Sequence, residues 1–295
     1  MTKHVFGGDW TSEKLERVRK YLCAYTTIFK KNPRAAYYTT VYVDAFAGTG
    51  ERVKSAGRRP KAAAVLDKEE LADADALQKG SARIALEVDP PFDRFVFIER
   101  STKRVKELEK LRTDFPDRAS VIQIEQGDAN EVLQEWCRNS DWQRHRAVVF
   151  LDPYGMQVDW STIEAIAATQ AIDLWILFPL GMAVNRLLTK NEPPPPLWAD
   201  ALTRFFGSEE WKQEFYPKKK ELTLFGEEET ERKEANFERI GKFFLKRLKT
   251  IFAQVATNPL IMSNSKGVPI FLLCFAAGNP KGAPTAVKIA KDILK

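Results

Sequence analysis

The sequence predicts an α/β protein: a mostly parallel sheet covered by helices on both faces, completed by an antiparallel hairpin and carrying a helical insertion. Three observations predict it. Between residues 92 and 179, short strands that are apolar on both faces alternate with amphipathic helices, the pattern of a buried parallel sheet. Successive strands carry an acid at or just past their carboxyl ends, where open α/β sheets bind ligands. After Phe178-Pro179 the alternation stops, four consecutive prolines intervene, and strands resume only near residue 258.

The elements follow in order. DWTSEKLERVRKYLCAYTTIFKK reads as a helix capped by Thr11 or Ser12, with Leu15, Val18, Leu22, Tyr25 and Phe29 at helical spacing and Asn32-Pro33 as its stop. Residues 38–46 form a strand ending on the turn of VYVDAFAGTG. Residues 51–80 read as a surface excursion and candidate lid, partly helical in KAAAVLDKEELADADALQK, and GSARIALEV as a helix capped by Ser81. Strands at 92–99, 120–125, 146–152 and 171–179 then alternate with helices at 101–115, 130–139 and 160–169. The insertion contains a loop, KKKELTLFGEEET, and a long amphipathic helix over 231–255. NPLIMSNSKGVPIFLLCFAAG is a hairpin turning at Asn-Ser-Lys-Gly, and PTAVKIAKDIL is a last helix. The domain reading is therefore 1–189 for the N-terminal helix and core, 190–255 for the insertion, and 256–295 for the strands and helix that complete the core. Parallel strands followed by a hairpin match the Rossmann-like sheet of class I methyltransferases, whose last strand inserts antiparallel, better than an all-parallel dinucleotide fold.

Composition narrows the chemistry. The 295 residues are 44% hydrophobic and 29% charged, and apolar runs such as AVVFL and LWILF are far too short to cross a bilayer. MTKHVFGGDW lacks the apolar region of an export signal, so a cytoplasmic location without membrane attachment is expected. Three scattered cysteines and two histidines disfavour a zinc site, a disulfide framework and Ser-His or Cys-His catalysis, and His145 reads as a surface residue. A net charge of +6 tolerates a polyanionic partner without requiring one.

Four strand ends carry the candidate chemistry. In Asp44-Ala-Phe46-Ala-Gly48-Thr-Gly50 the glycines permit close approach of a ligand to the backbone, and Asp44 suits a cationic group such as a methionine amine. The same stretch also reads as a structural turn. A nicotinamide dinucleotide site needs a third glycine opening a helix at once, whereas here Glu51-Arg52-Val53-Lys54 leads into loop. Glu99 can accept hydrogen bonds from two ribose hydroxyls or cap the next helix. Asp128, followed by Ala129, can meet an adenine amine or serve as a helix cap. Asp152-Pro153-Tyr154-Gly155 is a rigid turn. It either ends a strand in the ordinary way or presents a carboxylate, a carbonyl and an aromatic face to a base amine. The insertion aromatics Trp198, Phe205, Phe206, Trp211, Phe215 and Tyr216 read as a subdomain core or a groove, and Arg186 as an ion-pair partner or a phosphate contact.

Together these strand ends resemble the S-adenosylmethionine pocket of class I methyltransferases. More narrowly, KLERVRKYLCAYTTIFKK, YVDAFAGTG, GSARIAL, FVFIERS, IEQGDAN, VVFLDPYG and ILFPLGMAVNR, running from about Trp10 to Arg186, resemble the prokaryotic three-Cys-motif partner family. That resemblance implies S-adenosyl-L-methionine held by Asp44, Phe46, Gly48, Gly50, Glu99, Asp128 and Ala129, and catalysis at Asp152, Pro153 and Tyr154. It also implies a radical-S-adenosylmethionine-like protein as partner. DNA or RNA is the expected substrate class, methylated on a base amino group. Two departures stand out: Thr49 between the glycines, and D-P-Y-G in place of the D-P-P-Y of base-amino methyltransferases. The second keeps open a non-catalytic partner subunit.

Overall fold

A computed structural model describes residues 9–47, 80–153, 155–223, 226–264 and 266–295. Helix α1 (Asp9–Lys31) leads to β1 (Thr39–Ala45), and a helix over residues 80–87, α2, precedes β2 (Arg94–Glu99). The alternating part continues with α3 (Thr102–Asp114), β3 (Ile122–Gln126), α4 (Ala129–Asn139), β4 (His145–Leu151), α5 (Trp160–Ala168) and β5 (Ile172–Phe178). These bounds lie within a residue or two of those the periodicity predicts.

Past β5 come a π-helical turn (Leu180–Val184) and the short α6 (Asn185–Leu187), then α7 (Pro196–Phe206) and α8 (Glu210–Phe215). A hairpin of β6 (Lys218–Thr223) and β7 (Gly226–Glu231) follows. The chain ends with α9 (Phe237–Lys249), β8 (Gln254–Val255), β9 (Leu260–Ser263), β10 (Pro269–Ala277) and α10 (Ala283–Ile293).

The main sheet runs β3-β2-β1-β4-β5-β10-β8, with β9 also paired to β10. The first five strands are parallel; β10 is antiparallel to β5 and to both β8 and β9. This is a Rossmann-like α/β fold with the strand order of a class I methyltransferase sheet. Its reversal, where β1 leads outward to β2 on one side and β4 on the other, lies at the carboxyl end of β1.

Strand alternation sorts the core into two faces. Val41, Val43, Val149, Leu174, Ile176 and Cys274 bury one face under α4, α5, α7 and α9. Tyr42, Phe97, Phe150, Trp175, Leu177 and Phe275 bury the other under α1, α2, α3 and α10. Tyr21 of α1 donates its hydroxyl to Asp173 Oδ2 at 2.7 Å, fixing that helix to the sheet. Burial pushes the Asp173 carboxyl up to about 7.

Four local expectations change. Helix α1 runs through Thr11 and Ser12, so neither caps it at the bound described. Ser81 lies inside α2, and its hydroxyl serves a strand residue instead of the helix end. KKKELTLFGEEET is a hairpin, not a loop: antiparallel register sets Lys218 opposite Glu231 and Lys220 opposite Glu229, a lysine block facing a glutamate block with no apolar alternation. The expected helix over 231–255 is only 237–249. Asn236 caps it by accepting the Arg239 N–H at 2.8 Å, residues 232–235 have no regular structure, and 254–255 belong to the sheet. The excursion at 51–79 and its lid lie outside the described residues.

The insertion aromatics are core. Phe205, Phe206, Trp211, Phe215 and Tyr216 are buried, and Trp198 packs partly buried beside them. Phe244 of α9 stacks on Phe178 of β5 at 4.2 Å between ring centroids, which joins this layer to the sheet. Arg186 is exposed. His145 opens β4, with Nδ1 2.7 Å from the Asp141 carbonyl. Among the described residues no helix is long and apolar enough to cross a membrane.

Candidate functional site

The ladders place Glu99 and Asp152 at one level, and Asp44 two residues short of it on β1. Ala45 of β1 is in register with Ile98 of β2 and Leu151 of β4, so the next residues, Phe46, Glu99 and Asp152, stand side by side at the carboxyl edge. Alternation sends Asp44 to the side of Tyr42, Glu99 to the side of Phe97 and Asp152 to the side of Phe150, the face covered by α1, α2 and α3. Three carboxylates from three strands thus converge on one corner. All are buried: Asp44 is 0% exposed, Asp152 4% and Glu99 7%.

Asp44 is the floor of this corner. Its Oδ2 accepts the Ser81 hydroxyl at 2.6 Å, with the Tyr42 hydroxyl at 3.5 Å. Its Oδ1 is buried and has no hydrogen-bond partner among the described residues. Burial, reinforced by the charges of Asp152 and Glu99 and opposed by the Ser81 bond, pushes the Asp44 carboxyl up to about 7. A carboxyl raised in this way is returned to its ionised form by a cation placed beside it. Among the described residues, no group of three or more His, Cys, Asp or Glu is arranged to hold a metal ion.

Phe46, beside Asp44, has φ of +97°, a conformation that L residues with bulky side chains rarely adopt. It is held there by its N–H and that of Ala47, both donating to the Ile98 carbonyl, at 3.2 and 3.0 Å. Strain of this kind persists where surrounding structure over-determines it, and it collects at ligand sites. Gly48 and Gly50 lie outside the described residues.

Glu99 Oε1 accepts the Ser101 N–H at 2.5 Å, and Oε2 is 4.0 Å from the buried Arg104 guanidinium. Asp128 is the N-cap of α4: its Oδ1 accepts the Asn130 N–H at 3.0 Å, while Oδ2 is 3.8 Å from Arg100. The capping alternative is thus realised through Oδ1. Ala129 is buried in the first turn of α4. Asp152 and Pro153 are buried at the head of a turn that passes through Gly155 at φ of +66°; Tyr154 lies outside the described residues.

Three contributors were not legible in the sequence. Ser81 comes from α2, after the long excursion that separates it from Asp44. Arg104 lies one turn into α3, and only its nearness to Glu99 along the chain hints at the pairing. Asn130, an unremarked helix residue, makes hydrogen bonds to Asp128, Gln157, Asp159 and Thr162.

No protein-family model matches the chain, and neither does any curated protein sequence. Among solved structures, the chain is similar to protein LPL1258 from Legionella pneumophila str. Philadelphia 1, of the family model DUF519, at 13% identity and a TM-score of 0.46, covering 99% of this chain and 92% of that one.

Proposed function

We propose that the protein is an S-adenosylmethionine-dependent methyltransferase whose acceptor is a nucleic acid, methylated on a base amino group. One observation carries the reading: the convergence of buried Asp44, Glu99 and Asp152 at the sheet reversal, with Asp44 Oδ1 lacking a hydrogen-bond partner among the described residues. This charge arrangement fits the cofactor's ammonium and sulfonium. Asp44 would meet the methionine amine, Glu99 the ribose hydroxyls, and Asp128 Oδ2 with Ala129 the adenine edge.

The cofactor, when bound, supplies an electrophilic methyl group; the protein aligns the acceptor with it. A base amine is a poor nucleophile because its lone pair is delocalised into the ring. Asp152 and the Pro153 carbonyl, accepting its two N–H bonds, favour a pyramidal nitrogen. Asp152 also balances the positive charge that develops there, and Tyr154 would hold the base by stacking. The net charge of +6 suits a polyanionic acceptor. The finer resemblance to three-Cys-motif partners, and with it a radical-S-adenosylmethionine-like partner and a cytoplasmic setting, belongs to this proposal.

A specific observation favours a second reading. In D-P-Y-G the aromatic arrives one residue early and glycine follows at once, which suits a partner subunit that binds cofactor without turnover. Transfer of labelled methyl groups to DNA, RNA or protein, with and without the partner, separates the two. Turnover that disappears in Asp152→Ala while S-adenosylhomocysteine still binds supports the enzyme; binding with no transfer to any substrate class supports the subunit. Absence of S-adenosylhomocysteine binding at sub-millimolar concentration overturns both.

A further inference from the structure

Asn130 sits in the second position of α4 and is 8% exposed. Its side-chain amide has four partners, which fix its orientation. Oδ1 accepts the Asp159 N–H at 2.9 Å and the Thr162 hydroxyl at 2.8 Å. Nδ2 donates to the Gln157 carbonyl at 2.9 Å and to Asp128 Oδ1 at 3.3 Å. A backbone N–H only donates and a backbone carbonyl only accepts, so the amide cannot be turned over. On one side of this residue is Asp128, next to the cofactor in the reading above. On the other is the returning leg of the turn that starts at Asp152, whose Met156 and Val158 are buried in the core. Gln134 of α4 adds a second rung, donating to Thr162 Oγ1 at 3.0 Å.

We infer that Asn130 is a positioning residue that couples the nucleoside side of the pocket to residues 156–159, the returning leg of the acceptor turn. Asparagine suits this place because it accepts from two donors on one side and donates to two acceptors on the other. Aspartate would set a second oxygen against the Gln157 carbonyl and the Asp128 carboxylate. Leucine would leave both groups of partners unmet. A nucleoside drawing on Asp128 Oδ2 tightens the carboxylate that Asn130 shares, and the amide carries this restraint to the turn. The inference rests on the cofactor reading and adds to it a path from donor site to acceptor site.

The test is amide hydrogen exchange on the full chain, with S-adenosylhomocysteine as probe. In the wild type, the probe slows exchange in both 129–133 and 156–159, the latter by at least about fivefold, the lower end of usual coupling between sites. In Asn130→Ala the slowing at 129–133 remains and that at 156–159 is lost. The ratio of free to bound rates is the measure, because a purely structural role raises both rates and leaves their ratio unchanged. Equal ratios in wild type and variant overturn the inference while leaving the cofactor reading intact. Failure of the wild type to bind the probe overturns both. Should circular dichroism show Asn130→Ala unfolded, Thr162→Val removes one donor to Asn130 Oδ1 together with the acceptor of Gln134, and keeps the other three partners of the Asn130 amide. A reduced ratio at 156–159 then supports the coupling, and an undiminished one overturns it.

Discussion

Asp44 sets the pH behaviour of the site. Its folded carboxyl titrates at about 7, raised chiefly by burial, against an ordinary value of 3.8. Between those values the folded state keeps a proton that the unfolded chain has lost. Stability from this group is therefore full below about pH 4 and is lost as pH rises through about 7. Asp173, raised the same way, adds a slope of the same sign. Asp44→Asn should flatten part of this slope and raise the ligand-free unfolding free energy at about pH 8 by up to about 4 kcal/mol, read from urea titrations. A variant less stable than wild type at that pH would contradict the assignment. A cationic ligand requires the ionised carboxylate, so, on the proposed function, affinity for S-adenosylmethionine should rise about tenfold from about pH 6 to about pH 8, with proton release on binding. Calorimetry in buffers of different ionisation enthalpy reads that release. The acids were legible in the sequence because strand ends announce them. Ser81 and Asn130 were not, since their partners arrive from distant chain segments or through an amide that no spacing rule marks.

Among the elements, the turn after β5 runs hard against the backbone of a neighbouring strand. A Cβ on Gly181 would lie 2.1 Å from the Pro269 carbonyl oxygen at the start of β10. Gly181→Ala must push these segments apart, and a loss of about 2–4 kcal/mol in urea unfolding is expected. Unaltered stability would mean that the two segments separate freely. Asn236→Ala should cost about 1 kcal/mol by removing the α9 cap. That cap also shows where element reading from sequence runs out. The charged lead-in ERKEA reads as a continuation of the apolar-periodic helix, yet Asn236 stops the helix on one side and tertiary contacts capture its flanks. Lys233 illustrates the capture: its Nζ lies 2.7 Å from Asn185 Oδ1 and 3.2 Å from the Leu188 carbonyl. The charged hairpin gives the opposite case: its lysine and glutamate blocks carry no alternation along either strand, so nothing in the pattern separates it from solvated loop. The parallel strands, buried on both faces, left no such ambiguity.

At the scale of the molecule, the insertion and the sheet share one core. Phe244 stacks on Phe178 and lies 6.1 Å from Phe205, so the helices after β5 are not an independent unit. Phe244→Ala should cost about 3–5 kcal/mol and keep a single unfolding transition when followed by both near-ultraviolet and far-ultraviolet circular dichroism. Two separated transitions would show that the layers melt apart. Strand order, too, was legible, since parallel strands followed by a hairpin admit few arrangements. The pairing of β8 with β10 was not, because two residues carry no pattern of their own.

The place of β10 bears on how the molecule is made. The strand translated last among those described lies inside the sheet, between β5 and the pair β8 and β9. Until residues 269–277 leave the ribosome, β5 holds out an apolar rim of unpaired amides and carbonyls from Asp173 to Phe178. The strands already synthesised, β8 and β9, run in the same direction as β5 and offer that rim a false closure. Birth of this protein therefore passes through an interval in which its sheet is open at the middle, and its correct form depends on a late arrival taking the gap first.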